Sequence, residues 1–294
     1  MKSLKNLARP YRVVSGSRFR LADYNPADDG NGDLKAGASE LLEQSIERMS
    51  TLQEKLYAQD KWSVLLIFQA LDAAGKDSVI KHVMSGLNPQ SCEVHAFKVP
   101  SAEELDHDFL WRTMRALPRR GHIGILNRSH YEEVLVVRVH PEFLAKQQLP
   151  PSLVTSNIWR ERYEDINHTE RYLSRQGVLI RKFFLHVSRD EQRKRFLERL
   201  DKPEKNWKFN VNDVREREYF RDYMAAYEAA IRATATPWAP WYVVPADRKW
   251  FTRLVVASAI IDALESLRPE FPTVDAAKKR ELRRMRELLL GEEK

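Results

Sequence analysis

The sequence predicts an α/β fold with a parallel five-stranded sheet and helices on both faces. Five short runs rich in apolar and β-branched residues alternate with longer segments of helical periodicity, and this alternation is typical of β-α-β units. A hydrophobic fraction of 43% over 294 residues is enough to form a large core. No internal repeat, low-complexity tract or glycine/serine linker divides the chain, so we expect one domain over residues 36–294.

The elements can be assigned in chain order. Residues 1–35 lack clear periodicity and carry several prolines and glycines, so we expect an irregular N-terminal arm. Residues 36–58 place apolar residues at helical spacing, whereas residues 62–68 are almost wholly apolar, as in a strand buried on both faces. The other predicted strands are residues 94–99, 123–127, 180–187 and 241–244. The other predicted helices are residues 76–85, 102–117, 153–175, 190–200, 213–234, 248–267 and 275–290.

The chain is basic, with a formal net charge of +7 and an isoelectric point of about 9.4, which favours a polyanionic partner. Nucleic acid, anionic lipid and polyphosphate all fit this charge. The sequence shows no helix-turn-helix, zinc or RNA-recognition signature, so we expect no specific nucleic-acid partner. The longest apolar run, residues 254–261, is shorter than the ~20 residues of a membrane span, so we expect no membrane partner. The single cysteine, Cys92, is typical of a reducing compartment, and the predicted localisation is cytoplasmic.

Residues 68–78 join the first predicted strand to a predicted helix and approximate the phosphate-loop pattern G-x-x-x-x-G-K-[ST]. In such a loop, backbone N–H groups and the start of the helix form an anion site, and the lysine places a positive charge on the transferring phosphate. Ala70 stands in place of the first glycine, and Asp77 in place of the hydroxyl residue. The alternative is an ordinary strand-to-helix turn in which Asp77 or Ser78 caps the helix. The phosphate-binding candidates are Ala73, Ala74, Gly75, Lys76, Asp77 and Ser78.

A second polar cluster, residues 127–133, follows the third predicted strand. Ligands of open α/β sheets bind at the carboxyl ends of the strands, so we expect this cluster and the phosphate loop at the same edge. Arg128 is a candidate phosphate contact, and Glu132 or the glutamate after it is a candidate ligand for a metal ion or its bound water. The alternative is an ordinary helix start capped by Asn127 or Ser129, with the glutamates complementing the helix dipole.

Five motifs, in this order along the chain, resemble those of the family-2 polyphosphate kinases. The resemblance covers roughly residues 40–268, which makes it far more specific than the phosphate loop alone. The motifs are Leu71-Asp-Ala-Ala-Gly-Lys76, Asn127-Arg-Ser-His-Tyr-Glu-Glu-Val-Leu-Val-Val-Arg138, Lys182-Phe-Phe-Leu-His-Val-Ser188, Asp201-Lys-Pro-Glu-Lys-Asn-Trp-Lys-Phe209 and Ala239-Pro-Trp-Tyr-Val-Val-Pro245.

The resemblance implies a three-layer, thymidylate-kinase-like P-loop kinase fold with a helical lid at about residues 189–221. It implies Mg²⁺-dependent, reversible phosphoryl transfer between inorganic polyphosphate and nucleoside mono- or diphosphates, from AMP to ADP and from ADP to ATP. The segment that begins at Asn127 is similar to that of the subgroup accepting both AMP and ADP. Adenine nucleotides are the expected partners, with guanine nucleotides as a second candidate. A homo-oligomer, either a dimer or a tetramer, is also expected.

By position, the resemblance makes Asp72 a catalytic residue and a metal ligand. It makes Lys76 the phosphate-loop lysine and Arg128 a catalytic contact to phosphate. Asn127 is a candidate phosphate or nucleotide contact, but many members of the family have an aspartate there, and an amide is a weaker metal ligand than a carboxylate. Asn206 stands where an arginine is common, so it is not counted as a phosphate contact.

Residues 181–208 contain ten lysines and arginines against five acids, an excess that suits a chain of phosphates. Most of these residues are expected on a solvated helix face with i,i+4 ion pairs. Lys205 and Lys208 lie in a motif that resembles the family, and they are the candidate phosphate contacts. Two other functions are left open by the sequence: an ATP-dependent nucleoside or nucleotide kinase on the same fold, and a nucleic-acid-binding protein that uses its positive charge.

Overall fold

A six-stranded sheet forms the centre of the molecule. The computed structural model describes Leu4 and residues 6–291, so a few residues of the predicted arm (1–3 and 5) and of the predicted domain (292–294) lie outside the described residues. In chain order the strands are β1 (Arg12–Val13), β2 (Ser63–Ala70), β3 (Cys92–Ala96), β4 (Ile123–Asn127), β5 (Val178–His186) and β6 (Trp241–Pro245). Their order across the sheet is β1-β6-β5-β2-β4-β3.

The prediction of a parallel five-stranded sheet is wrong, because the sheet is mixed and has a sixth strand. β1 pairs antiparallel with β6, with Arg12 opposite Tyr242 and Val13 opposite Trp241. The other pairings, which join the five predicted strands, are parallel. β1 lies in the arm that was expected to be irregular, and its two residues are too few to show the alternation that identifies a strand in a sequence.

Helices cover both faces of this sheet. The α-helices are α1 (Ala38–Gln59), α2 (Lys76–Val83), α3 (Ala102–Leu105), α4 (Trp111–Met114), α5 (Val136–Val139), α6 (Glu142–Ala145), α7 (Ile158–Arg175), α8 (Arg189–Asp201), α9 (Pro203–Asn206), α10 (Val211–Arg215), α11 (Phe220–Thr234), α12 (Lys249–Ser266) and α13 (Ala276–Gly291). Short 3-10 helices span Arg9–Tyr11, Leu21–Asp23, Gly30–Gly32, Pro89–Ser91, His130–Val134, Pro151–Leu153 and Glu216–Tyr219. The predicted helix over residues 102–117 is two short helices, because Asp108 accepts a hydrogen bond from the Leu110 N–H and interrupts the helical ladder between them.

Strand β2 is buried along its whole length and separates two apolar cores. Val64, Leu66 and Phe68 belong to the core formed with α1, α2 and α12. Leu65 and Ile67 belong to the core formed with α7 and α11. This alternation along β2 confirms the prediction of a strand buried on both faces.

The apolar run at residues 254–261 lies in α12 and is buried against α1 and the sheet. Across the described residues, no helix combines the length and the apolar character needed to cross a membrane.

The carboxyl ends of β2, β4, β5 and β6 lie at one edge of the sheet, because these strands are parallel to one another. The phosphate loop follows β2, and the polar cluster follows β4. Helix α8 follows β5, and α12 follows β6. The topology therefore brings four segments of polar residues together, and this edge is where a ligand of an open α/β sheet is expected.

Candidate active site at the carboxyl ends of the strands

The phosphate loop turns sharply between β2 and α2. Ala73 and Gly75 both adopt the left-handed backbone conformation, with φ of 63° and 100°. Glycine adopts this conformation freely, whereas alanine is held in it at a cost of roughly 1–2 kcal/mol. Gly75 is the N-cap of α2, and no side chain caps that helix. The alternative in which Asp77 or Ser78 is merely a helix cap is therefore not what the structure shows.

The carbonyl groups of this loop are held by Arg195, which projects from α8. One terminal nitrogen of Arg195 donates to the carbonyls of Ala73 and Ala74, at 3.1 and 2.7 Å. The other donates to the carbonyls of Ala246 and Asp247 after β6, at 2.6 and 3.3 Å. In a trans peptide unit the N–H points away from the C=O. The Gly75 N–H shares a peptide unit with the Ala74 carbonyl that accepts from Arg195, so this N–H is directed away from Arg195. The clamp thus leaves a backbone donor of the loop available to an anion.

Gln192, one turn before Arg195 on α8, supports the same loop. Its Nε2 donates to the carbonyl of Asp72 at 3.0 Å. Both side chains are buried, at 3% and 5% exposure, although the sequence placed this segment on a solvated helix face. Their spacing puts them on one face of α8 with the buried Phe196, and that shared face is the sequence signal that could have identified them.

Lys76 lines a cavity of 590 Å³ at this edge of the sheet. Its ammonium group makes no hydrogen bond or ion pair to any residue that the structure describes. Burial lowers the pKa of the Lys76 amine, and the nearby Arg128 guanidinium lowers it further. A partly buried cation without a partner is costly, and a bound anion would offset that cost.

Most of the predicted site residues meet around this cavity. Those that line it are Asp72, Ala73, Gly75, Lys76, Asp77, Ser78, Asn127, Arg128, Lys205 and Lys208. Ala74 does not line it, since its side chain is buried and its carbonyl binds Arg195. Glu132 lines a second, smaller cavity of 140 Å³, which shares Asp72 and Arg128 with the first.

Arg128 joins two carboxylates at the boundary between the two cavities. Its guanidinium donates to Asp72 Oδ1 at 2.9 Å and to Glu132 Oε2 at 3.5 Å. The charge of Glu132 raises the pKa of Arg128, against the effect of burial. Arg128 also has a left-handed backbone, with φ of 64°, and strain of this kind is common at functional sites.

The segment after β4 combines the two roles that the sequence left open. Asn127 Nδ2 donates to Asp77 Oδ1 at 2.7 Å, so its amide ties the end of β4 to the start of α2. Ser129 accepts a hydrogen bond from the Tyr131 N–H and caps a 3-10 helix, as the helix-start reading expected. Arg128, between them, faces the cavity.

The two lysines predicted as phosphate contacts approach the cavity from α9 and the turn after it. Lys205 Nζ lies 2.6 Å from Glu198 Oε1. Lys208 Nζ lies 4.9 Å from the centre of the Trp207 ring, which is 78% exposed. Both lysines line the same cavity as Lys76, although about 130 residues separate them in the chain.

The sequence analysis did not single out several residues that also line the cavity: Arg195, Glu198, Arg199 and Lys249. Lys249 follows the last strand, so the rule that ligands bind at strand ends could have identified it. Glu198 and Arg199 lie among other charged residues of α8, and nothing in the sequence separates them from their solvated neighbours.

Asp72 and Glu132 are the residues that could hold a divalent metal ion. Within the described chain, no group of three or more histidine, cysteine, aspartate or glutamate side chains could hold a metal ion by itself. Mg²⁺ is usually held by one or two carboxylates together with substrate phosphates and water. Two carboxylates next to a phosphate loop match that donor set, so these residues fit a metal that is bound jointly with substrate.

Comparison with known proteins agrees with this geometry. Residues 33–272 match the family Polyphosphate kinase 2 (PPK2). The chain belongs to the polyphosphate kinase 2 family. The family resemblance drawn from the five sequence motifs is therefore confirmed.

Two curated relatives from this family match over nearly their full length. The chain is 50% identical over 288 residues to the ADP-polyphosphate phosphotransferase of Rhodopseudomonas palustris, a match covering 98% of this chain and 100% of that protein. It is 43% identical over 270 residues to the AMP/ADP-polyphosphate phosphotransferase of Meiothermus ruber, covering 92% and 97%. The crystal structure of polyphosphate kinase 2 from Arthrobacter aurescens superposes with a TM-score of 0.86 at 40% identity, covering 95% of this chain and 96% of that one.

A buried ion pair supports the polyphosphate kinase 2 motif that carries Arg128 and Glu132. Lys182 Nζ lies 2.6 Å from Glu170 Oε2 and 2.9 Å from the Tyr131 hydroxyl. Tyr131 donates to the other Glu170 oxygen at 2.8 Å, and all three side chains are almost fully buried. Tyr131 lies between Arg128 and Glu132 in the chain. The buried network around its hydroxyl therefore holds the backbone of that segment in place.

Proposed function

We propose that the chain transfers a terminal phosphoryl group between inorganic polyphosphate and adenine nucleotides. The observation that carries this proposal is the cationic cavity around Lys76, which has a phosphate loop on one side and the lid lysines on the other. Relatives that match over almost the whole chain are named as polyphosphate phosphotransferases of ADP or of AMP and ADP. The family, the cavity and the positive charge of its lining therefore all support phosphoryl transfer between polyphosphate and a nucleotide.

Catalysis in this proposal comes from alignment and charge neutralisation. The acceptor is a nucleotide phosphate that is already ionised at neutral pH, so no strong general base is required. The loop N–H groups and Lys76 bind the phosphate that is transferred, and Arg128 offsets the repulsion between donor and acceptor. Lys205 and Lys208 bind the polyphosphate chain from the other side of the cavity.

Asp72 and Glu132 would hold Mg²⁺ in this proposal, in company with phosphate oxygens. When bound, Mg²⁺ neutralises negative charge on those oxygens. Arg128 binds both carboxylates. The arginine therefore keeps the two metal ligands close to the phosphate loop.

We further infer a single P-loop kinase domain of the thymidylate-kinase type, with the segment at about residues 189–221 acting as a lid. A lid would exclude water, which otherwise hydrolyses the donor. AMP and ADP are the proposed acceptors, and guanine nucleotides are a second candidate. A cytoplasmic setting and a homo-oligomer, dimer or tetramer, complete the proposal.

The test is to incubate the purified protein with Mg²⁺, long-chain polyphosphate and either AMP or ADP, and to separate the nucleotides by chromatography. We expect conversion of AMP to ADP, and of ADP to ATP, only when polyphosphate is present, and no conversion when the metal is chelated. The control without polyphosphate contains ATP and a nucleoside or nucleotide acceptor. Transfer only in that control would identify an ATP-dependent kinase and contradict the proposal.

A further inference from the structure

One acidic side chain interrupts the cationic wall that the lid presents to the cavity. The described lid residues in that wall are Arg195, Glu198, Arg199, Lys205 and Lys208. Glu198 alone among them carries a negative charge. It faces the space where a polyanion would bind, and an acid at such a position repels the proposed donor. Its presence there requires an explanation.

The contacts of Glu198 show what this acid does when no anion is bound. A single carboxylate oxygen, Oε1, lies 2.8 Å from Lys202 Nζ and 2.6 Å from Lys205 Nζ. The three side chains are one-third to one-half exposed. Hydrogen bonds from the two lysines lower the pKa of Glu198 to about 2, so it is ionised at neutral pH. Two lid cations are therefore occupied by an internal anion.

Lys205 differs in this respect from the other lysines that line the cavity. Those lysines are Lys76, Lys98, Lys208 and Lys249, and none of them makes an ion pair with a described residue; Lys208 Nζ lies over the Trp207 ring. A phosphate that binds Lys205 therefore meets an ammonium that already binds the Glu198 carboxylate, whereas a phosphate that binds Lys76 meets no such acid. The lysines that line the cavity therefore differ in whether an acid already occupies them.

We propose that Glu198 is an internal competitor of the polyanionic donor: it holds Lys202 and Lys205 when the lid is empty and so weakens the affinity of the lid for polyphosphate. The inference rests on the proposed function and adds a residue that sets donor affinity without contacting the reacting atoms.

The test compares Glu198→Gln with Glu204→Gln. Glu204 lies on α9 between the two lysines, does not line the cavity, and its carboxylate makes no hydrogen bond or ion pair to a described residue. Both substitutions remove one negative charge from the lid, so the pair separates the specific contact from net charge. The measurements are the KM for long-chain polyphosphate, the KM for the nucleotide, kcat, and the dependence of the polyphosphate KM on salt.

We expect Glu198→Gln to lower the KM for polyphosphate about three- to tenfold, because two exposed ion pairs no longer compete. The KM for the nucleotide should stay within about twofold, and log KM should rise more steeply with log salt, by about one unit of slope. Glu204→Gln should leave all these values near those of the unchanged protein.

Four results would overturn the inference. An unchanged polyphosphate KM in Glu198→Gln, or an equal fall in both variants, would show that the contact does not compete with the donor. A raised KM would show that Glu198 instead holds Lys205 in its binding position. If the unchanged protein does not use polyphosphate at all, the proposed function fails, and the inference fails with it.

Discussion

Replacing Arg195 by lysine tests the link between α8 and the phosphate loop. Arg195 is 5% exposed, and its two terminal nitrogens donate to carbonyls on two different segments. A lysine ammonium is a single point and cannot reach both pairs of carbonyls. At least two bonds from a charged donor are lost, each worth about 1.5–3 kcal/mol, so the free energy of unfolding should fall by about 3–6 kcal/mol. A domain whose free energy of unfolding exceeds about 6 kcal/mol, within the ordinary range of about 5–15 kcal/mol, should still fold.

The functional cost of Arg195→Lys follows from the loss of loop positioning. A displacement of the loop by about 1 Å can lower the rate by about 10²-fold, so kcat/KM for phosphoryl transfer should fall about 10- to 100-fold. Urea unfolding gives the first quantity and chromatography of the nucleotides gives the second. The control is Arg193→Lys, an exposed arginine on the same helix, for which a change within about 0.5 kcal/mol is expected. Equal stability and equal kcat/KM in both variants would refute the reasoning.

Three further predictions concern the site and its support. Lys76→Met should lower kcat/KM about 10²- to 10³-fold with no loss of thermal stability, because the ammonium has no partner among the described residues; a variant with half the original rate would contradict this. Asp72→Asn keeps an acceptor for Arg128 but weakens a metal ligand, so the Mg²⁺ concentration for half-maximal activity should rise about tenfold or more, and an unchanged value would exclude the metal role. Lys182→Met should cost about 3–5 kcal/mol in urea unfolding because it leaves Glu170 buried without its partner. The double variant Lys182→Met/Glu170→Leu should cost clearly less, and additive losses would show that the pair is not coupled.

The sequence predicted β2 to β6 within about two residues of their bounds in most cases. For β2, β4, β5 and β6 the reason is that a strand buried on both faces leaves an almost unbroken apolar run, whereas β3 is a partly exposed edge strand. β1 was missed because a strand of two residues is too short to show an alternation of apolar and polar side chains. The predicted helix at residues 102–117 is two short helices in the structure. A local side-chain hydrogen bond interrupts it, and the spacing of apolar residues does not reveal such a bond.

The residues of the site also divide into those that the sequence predicted and those that it missed. Lys76 and Arg128 follow strands, and topology alone places them together. Arg195 and Glu198 were missed because their roles depend on distance in space. Arg195 binds carbonyls that are more than 120 residues away in the chain, and Glu198 differs from the neighbouring acids only in the direction that its side chain takes.

The clamp formed by Arg195 also limits which part of the proposed lid could change conformation. It fixes α8 to the phosphate loop on one side and to the end of β6 on the other, so a closure over the cavity would bend the chain after Asp201. Only the short helices α9 and α10, with the turn between them, would then move toward a donor. Fixing a residue costs about 1–2 kcal/mol in conformational entropy, so a short moving segment would limit the binding energy that such a closure loses to entropy.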